Sequence, residues 1–499
     1  MLERPLDTLR EDDFDYWKAH HLLGRAGFGG TPAEVRAFAD LGLEGAIDRL
    51  LQFEDAPDMN DEPGLDADIM RPRSPEENRQ YRQARQRGDE AFLTKARMER
   101  QSRQRADRRQ LQSLRQWWIT RLINTRRPLQ EKMTLFWHGH FATGHRAIED
   151  SWDLYQQNRL FRQFAFGNFK DLTHRIIRDP AMLKYLNNDR NVRRQPNENL
   201  ARELMELFTL GEGNGYGESD IKEGARALTG YHFRDDSFVF REAVHDPRDK
   251  RILGREGTFD GDDFVDLIFD RPYAAEFLTL KLYRFFVHDL PGDDMRPDQR
   301  AYLKQLSSRF RASGYDVGML LRTMFRSQHF YDPANVSARI KSPVELHVGT
   351  IRQLGTPPRS PRTAVEALRG MGQDLFEPPS VRGWPGGRTW INTSTLFLRQ
   401  NLALHLITGR RPKAYAWPGD RTPYDPTSLL APLRDATGGS TDANAAATYL
   451  LRHTLGTVPH PSRVATITTF FEERGTRLDA DVLSGALALI TAMPEYQLC

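Results

Sequence analysis

Apolar residues recur at helical spacing along most of this chain, and strand-like alternation is rare. From 14 to 51 the periodicity predicts two helices joined by a glycine-rich corner, with Thr31 as N-cap and Pro32 at the first helical position. Residues 55–90 are polar and rich in Pro, Asp and Arg, which predicts a mobile excursion. The stretch 91–123 predicts one long helix, solvated in its first half and buried from Trp117 onward. Pro128 then opens a helix whose Leu129, Met133, Phe136 and His140 share a face.

Further helices are expected over 152–166, 169–178, 180–186, 198–210, 219–228, 261–269, 273–286, 297–312 and 316–326. Ser342-Pro343-Val344-Glu345 is a capping box, so Glu345 is expected to be structural. After a loop-like stretch, 413–439, come three amphipathic helices. Only Tyr231-His232-Phe233 and Ser237-Phe238-Val239-Phe240 read as strands, paired as a hairpin. The expected fold is mainly α, a multi-helical orthogonal bundle with a small β-hairpin insertion. Its segments are 1–54 (N-terminal helices), 55–109 (Arg-rich excursion), 110–410 (central domain with the candidate site) and 411–499 (C-terminal helices).

Composition narrows the function classes. Lys and Arg number 71 against 68 Asp and Glu, a net charge of +3, which argues against a dedicated nucleic-acid binder. The balance is uneven, with 13 Lys or Arg against 6 Asp or Glu over 71–110. Cys499 is the single cysteine, so neither an intramolecular disulfide nor a cysteine zinc site is expected. No secretory signal pattern and no run of roughly 18 apolar residues stands out, giving a cytoplasmic default without a transmembrane segment.

The densest chemistry lies in Pro196 through Leu207. At about 100° per residue, Asn199, Glu203 and Glu206 project close together beside the apolar stripe of Leu200, Leu204 and Leu207, with Arg202 on the flank. Desolvation and a nearby guanidinium move carboxyl pKa values in opposite directions, so Glu198, Arg202, Glu203 and Glu206 are the catalytic candidates; the alternative is a solvated helix face. In Trp137-His138-Gly139-His140-Phe141 the two imidazoles could share a metal only if the helix broke at Gly139. Otherwise His140 is a core histidine. His245-Asp246 is a further metal-ligand candidate or a turn before Pro247, and zinc, iron or copper would suit these donors. Lys250, Trp384, Trp390, Asn392 and Arg399 are candidates for substrate contact, with the indoles offering flat apolar area or simply plugging a loop into the core. The HExxH, Walker A, Gly-x-Ser-x-Gly and dinucleotide patterns are all missing.

Taken in order, several motifs resemble the bacterial family catalogued as domain of unknown function number 1800. They are His20-His21-Leu22-Leu23-Gly24-Arg25-Ala26-Gly27-Phe28-Gly29, Glu131-Lys132-Met133 leading into Trp137 to Phe141, Asn197-Glu198-Asn199 through Leu207, Ala225 to Gly230, His245-Asp246, Lys341 to Glu345, and Gly383-Trp384 to Arg399. Gly217, where the family pattern has Thr or Ser, and the long basic excursion are departures. The resemblance implies a mainly helical protein. Genes of that family often neighbour those of another, number 1501, which resembles phosphatases and sulfatases bearing twin-arginine export signals. It thereby implies a phosphatase- or sulfatase-like partner and co-export with it.

The leading expectation is a metal-assisted hydrolase of a hydroxyl-rich or anionic envelope substrate. In it His138, His140 and a carboxylate hold the ion, Glu203 or Glu206 activates water, and Arg202 and Lys250 steady negative charge. A metal-free form would use Glu198 and Glu203 as acid and base. The alternatives are a non-catalytic partner or maturation factor contacting through Trp384, Trp390 and the basic segment, and a redox metalloprotein.

Overall fold

The computed structural model describes residues 6–52, 56–58, 60–234, 236–290, 295–436, 442–475 and 477–499. Among them, 23 α-helices and two two-stranded hairpins make a mainly α fold. The expected hairpin pairs Tyr231 with Phe240 and His232 with Val239. The second hairpin, Lys250–Ile252 with Arg255–Gly257, turns at Leu253 (φ 50) and Gly254 (φ 78). Its strands, three residues long, are too short to show alternation, which is why the sequence does not reveal them.

The structure forms two apolar cores. Helices Tyr16–Ala26 and Gly42–Leu51 bury Leu22 and Ile47 with Trp137, Phe169, Leu204, Phe208, Leu278 and Leu320 in the first. In the second, Leu114, Trp118 and Leu122 meet Val344, Leu368, Leu402, Leu450 and Ile490. Each such side chain contributes about 1.5–3 kcal/mol on burial. Helix Pro128–His140 contributes to both cores, with Met133 and Trp137 in the first and Leu135 in the second. It is therefore buried almost all round, and its charged residues Glu131 and Lys132 are fully enclosed.

Part of the Arg-rich excursion is helical. Residues Pro75–Arg87 form a helix that packs against Glu90–Asn124. Its start is a capping box, Ser74 with Glu77, with Pro75 at the first position, and it stops at Gly88 in the left-handed region (φ 65). Local stop and start chemistry thus orders a stretch that contributes only Ala84 to the interior. The partner helix, 35 residues long, is mostly exposed before Asp107 and buries Leu111, Leu114, Trp118 and Leu122 beyond it. No described helix is long and apolar enough to cross a membrane.

Candidate functional site

The carboxylate segment starts where Asn197 accepts the Asn199 amide at 2.9 Å, and it is α-helical over Asn199–Glu203. Over Leu204–Thr209 it widens into a π-helix, a form often found at functional sites. The amides of Leu210 and Gly211 both reach the Met205 carbonyl at 3.0 Å, and Gly211 (φ 85) ends the element. The following carbonyls are taken by side chains. His140 Nε2 donates to Phe208 O at 2.9 Å, and Lys281 Nζ lies 3.5 Å from Leu207 O. Burial, reinforced by Arg284, pushes the Lys281 amine down to about 7.

Arg202 organises the carboxylates. It bonds Glu198 at 2.9 Å, Glu206 at 3.3 Å and both oxygens of Glu218 at 2.8 and 2.9 Å. Glu203 stands apart: among the described residues no hydrogen bond or ion pair engages its half-buried carboxylate. Burial and then the charge of Glu206 push that carboxyl above its ordinary value, with Arg382 and Arg202 opposing only in part.

The end of helix Pro180–Tyr185 and one loop close in on Glu203. Burial and then the charges of Glu377 and Glu203 raise the Tyr185 hydroxyl, so both carboxylates lie within electrostatic reach of one phenol. Glu377 accepts the Arg146 amide at 3.0 Å. The loop continues through Arg382 to Gly383 (φ 76), where an added Cβ would fall 2.0 Å from the Gly139 carbonyl oxygen. Only glycine permits that approach, which seats the loop on the end of the Pro128–His140 helix. Gly386 also has positive φ, 72, but nothing within 4 Å of its Cβ position. Chemical denaturation is therefore expected to show Gly383→Ala losing about 2 kcal/mol more than Gly386→Ala. Equal losses would mean the close approach contributes nothing.

Several expected site residues have other occupations. The helix runs unbroken through Gly139, so His138 and His140 point to opposite sides. His138 Nε2 accepts the Phe376 amide at 3.0 Å, between Trp118 and Trp384. His140 caps the π-helix from among aromatic rings, and burial drives both imidazoles far below their ordinary value, His138 to about 3. The two histidines are thus core residues with diverging rings, and neither bonds Glu203 or Glu206. His245 Nδ1 bonds Thr229 O at 2.8 Å, while Asp246 is held by Arg226 and Arg248 at 2.8 and 2.7 Å. Lys250 is buried, donating to the Asp246 and Arg248 carbonyls at 2.7 and 3.0 Å. These residues fasten the loop between the hairpins.

Trp390 is buried, Asn392 caps helix Thr393–Thr408 by accepting the Thr395 amide, and Arg399 is enclosed against Gln497 and the Lys341 carbonyl. Trp384 packs half-buried on His138 and Gly139. Only Asn392 is exposed, and its side chain is spent on the cap. Among the described residues one acidic group has metal-like spacing, Asp150, Asp153 and Asp236, and Lys184 already sits on Asp150 and Asp153.

What remains is an edge at which Glu203, Tyr185, Glu377 and Arg382 converge beside the end of the central helix. It is built from several of the motifs quoted above, in one fold. The chain belongs to the family described as protein of unknown function (DUF1800), which matches residues 21–498. No curated protein and no solved structure matches it. In this DUF1800 chain the sequence pattern offers Glu203 as a candidate but does not single out Tyr185, Glu377, Arg382 or Lys281. Glu377 and Arg382 lie just before the Gly383-Trp384 motif quoted above; Tyr185 and Lys281 are unmarked within ordinary helical patterns.

Proposed function

We propose that the chain is a hydrolase of carboxylate type acting on a hydroxyl-rich or anionic substrate. Glu203 is its proton donor, Glu377 the second carboxyl group beside Tyr185, and Arg382 the cation that steadies developing negative charge. The observation that carries this reading is the isolation of Glu203. Every other carboxylate of its helix is spoken for by Arg202, whereas Glu203 is half-buried, unpaired and held toward its protonated form. A general acid needs that environment, and a structural ion-pair partner does not. The metal-assisted route is set aside on geometry, because the histidines proposed as ligands diverge and are engaged by main-chain groups.

The test is a panel of glycosides, carboxylic esters, and phosphate and sulfate monoesters, assayed across acidic to alkaline pH with and without added divalent ions. We expect turnover of one class that falls as pH rises through the Glu203 titration and persists in chelator. No turnover of any class, or turnover that Glu203→Gln leaves intact, overturns the assignment. Binding to a phosphatase- or sulfatase-like partner is a second reading, now resting on Phe397 and Leu404. These lie 51% and 43% exposed, seven residues apart and so on one face of helix Thr393–Thr408.

A further inference from the structure

A separate cleft lies between helix Tyr16–Ala26 and helix Pro343–Leu354, walled at one end by Thr454 to Gly456 and the last residues of the chain. We propose that this cleft is a binding site for a small oxyanion, a phosphate or carboxylate group, seated over Gly24 beside Arg25 and Lys341. The inference is independent of the Glu203 reading.

Three observations converge on it. The first is Gly24. It sits inside a helix with ordinary negative φ, where glycine is the least favourable residue short of proline. A Cβ added there would meet no protein atom within 4 Å, so packing does not demand glycine. The space that alanine would enter is the cleft itself, which Gly24 lines. Across it Gly349 is similarly bare, its Cβ position first meeting the Phe28 carbonyl at 3.5 Å. Two helices thus keep side chains out of a volume that the protein leaves open.

The second is charge. Arg25, Lys132, Arg339, Lys341 and Arg399 crowd around two carboxylates, Glu345 and Asp289, and around Cys499. Glu345 is already neutralised by Lys132 at 2.8 Å and Arg339 at 3.2 Å. Among the described residues no carboxylate pairs directly with Arg25: its terminal nitrogens donate to the carbonyls of Phe286, Val287 and Asn335 at 3.2, 3.0 and 2.6 Å. Lys341 likewise donates to the Tyr496 carbonyl at 2.9 Å, and burial pushes its amine down to about 8. Buried cations whose direct hydrogen bonds go to carbonyls are the setting an anion completes.

The third is unmet hydrogen bonding. Arg25 Nε and Thr454 Oγ1 are buried without a partner, and both residues line the cleft; Arg399 Nη1, next to Lys341, is also unpaired. The cavity measures about 60 Å³. At about 10–15 Å³ for each water-sized occupant, that is room for roughly four to six heavy atoms, the size of a phosphate or carboxylate group.

The experiment is thermal unfolding of the full chain in an anion-poor buffer at fixed ionic strength, titrated separately with sodium phosphate and sodium acetate to about 20 mM. We expect at least one to raise the melting temperature saturably by about 2 °C or more. Phosphate alone assigns a phosphoryl group, and acetate alone a carboxylate. Gly24→Leu, whose side chain occupies the cleft, is expected to stay folded by circular dichroism and lose the response. Lys341→Gln should weaken the apparent affinity at least about tenfold. Should Gly24→Leu fail to fold, Gly24→Ala serves: it should melt above the unmodified protein without anion and respond less to it. No saturable response to either anion, or a response undiminished in the Gly24 variant that folds, overturns the site.

Discussion

Glu131→Ala is expected to destabilise the fold by about 3–5 kcal/mol, lowering the melting temperature by about 5–10 °C, more than any surface substitution. Glu131 has no exposed area, and its two oxygens serve four donors. Arg121 Nε lies at 2.6 Å, Arg162 contributes two nitrogens at 2.6 and 3.1 Å, and Trp118 Nε1 lies at 3.0 Å. Among the described residues, removing the carboxylate leaves Arg162 without an acidic partner beside Arg121, which keeps only Asp58, and the uncompensated charge, rather than the lost bonds, sets the scale. Glu131→Gln keeps the volume and one acceptor and should fall between.

The same geometry fixes the pH behaviour. Burial pushes the Glu131 carboxyl up, but Arg162 and Arg121 outweigh it and hold the group below its ordinary value of 4.5. Its contribution is therefore fully present above pH 4.5 and lost as pH falls through the lower folded value. Wild type and Glu131→Gln should differ most near neutrality and converge in acid. A difference that persists unchanged into acid would mean the triad's charge is not what stabilises it.

Helix ends and periodic faces were the legible part of this fold. Thr31-Pro32, Pro128, Ser342-Pro343 and Gly211 act where the sequence puts them, because capping and left-handed glycines are local physics. The capping role of Glu345 was read correctly, but not its contact with Lys132, which joins residues more than two hundred positions apart, nor that with Arg339. The helical clustering of Glu198, Arg202, Glu203 and Glu206 was visible for the same local reason. Which of the four stays free was not visible, because Glu218, which completes the shell of Arg202, comes from the next helix. The histidine pair misled because it was assigned to a site when its rings serve Phe376 and Phe208, main-chain groups that no side-chain pattern announces. Conversely, Gly139 was read as a possible helix break and proves to be the bare patch on which Trp384 and Gly383 rest.

Glu203→Gln is expected to show the opposite signature from Glu131→Gln, and that contrast separates a working carboxyl from a structural one. No cation or donor is lost when Glu203 becomes an amide, since none is bonded to it. Burial and Glu206 raise its carboxyl above 4.5, so the folded state binds a proton there more tightly than the unfolded chain does. Its contribution to stability is full below pH 4.5 and is lost as pH rises through the raised value. The glutamine variant escapes that loss, and at neutral pH should melt at the same temperature as wild type or slightly higher. Turnover should nevertheless fall by about 10²–10⁴, the range for removing a positioned proton donor. Thermal melts at pH 4 and pH 7 and the initial rate on the responsive substrate, taken on one preparation, decide the matter. Melting that drops at neutral pH, as for Glu131→Gln, would make Glu203 one more structural partner, and the proton-donor assignment would fall with it.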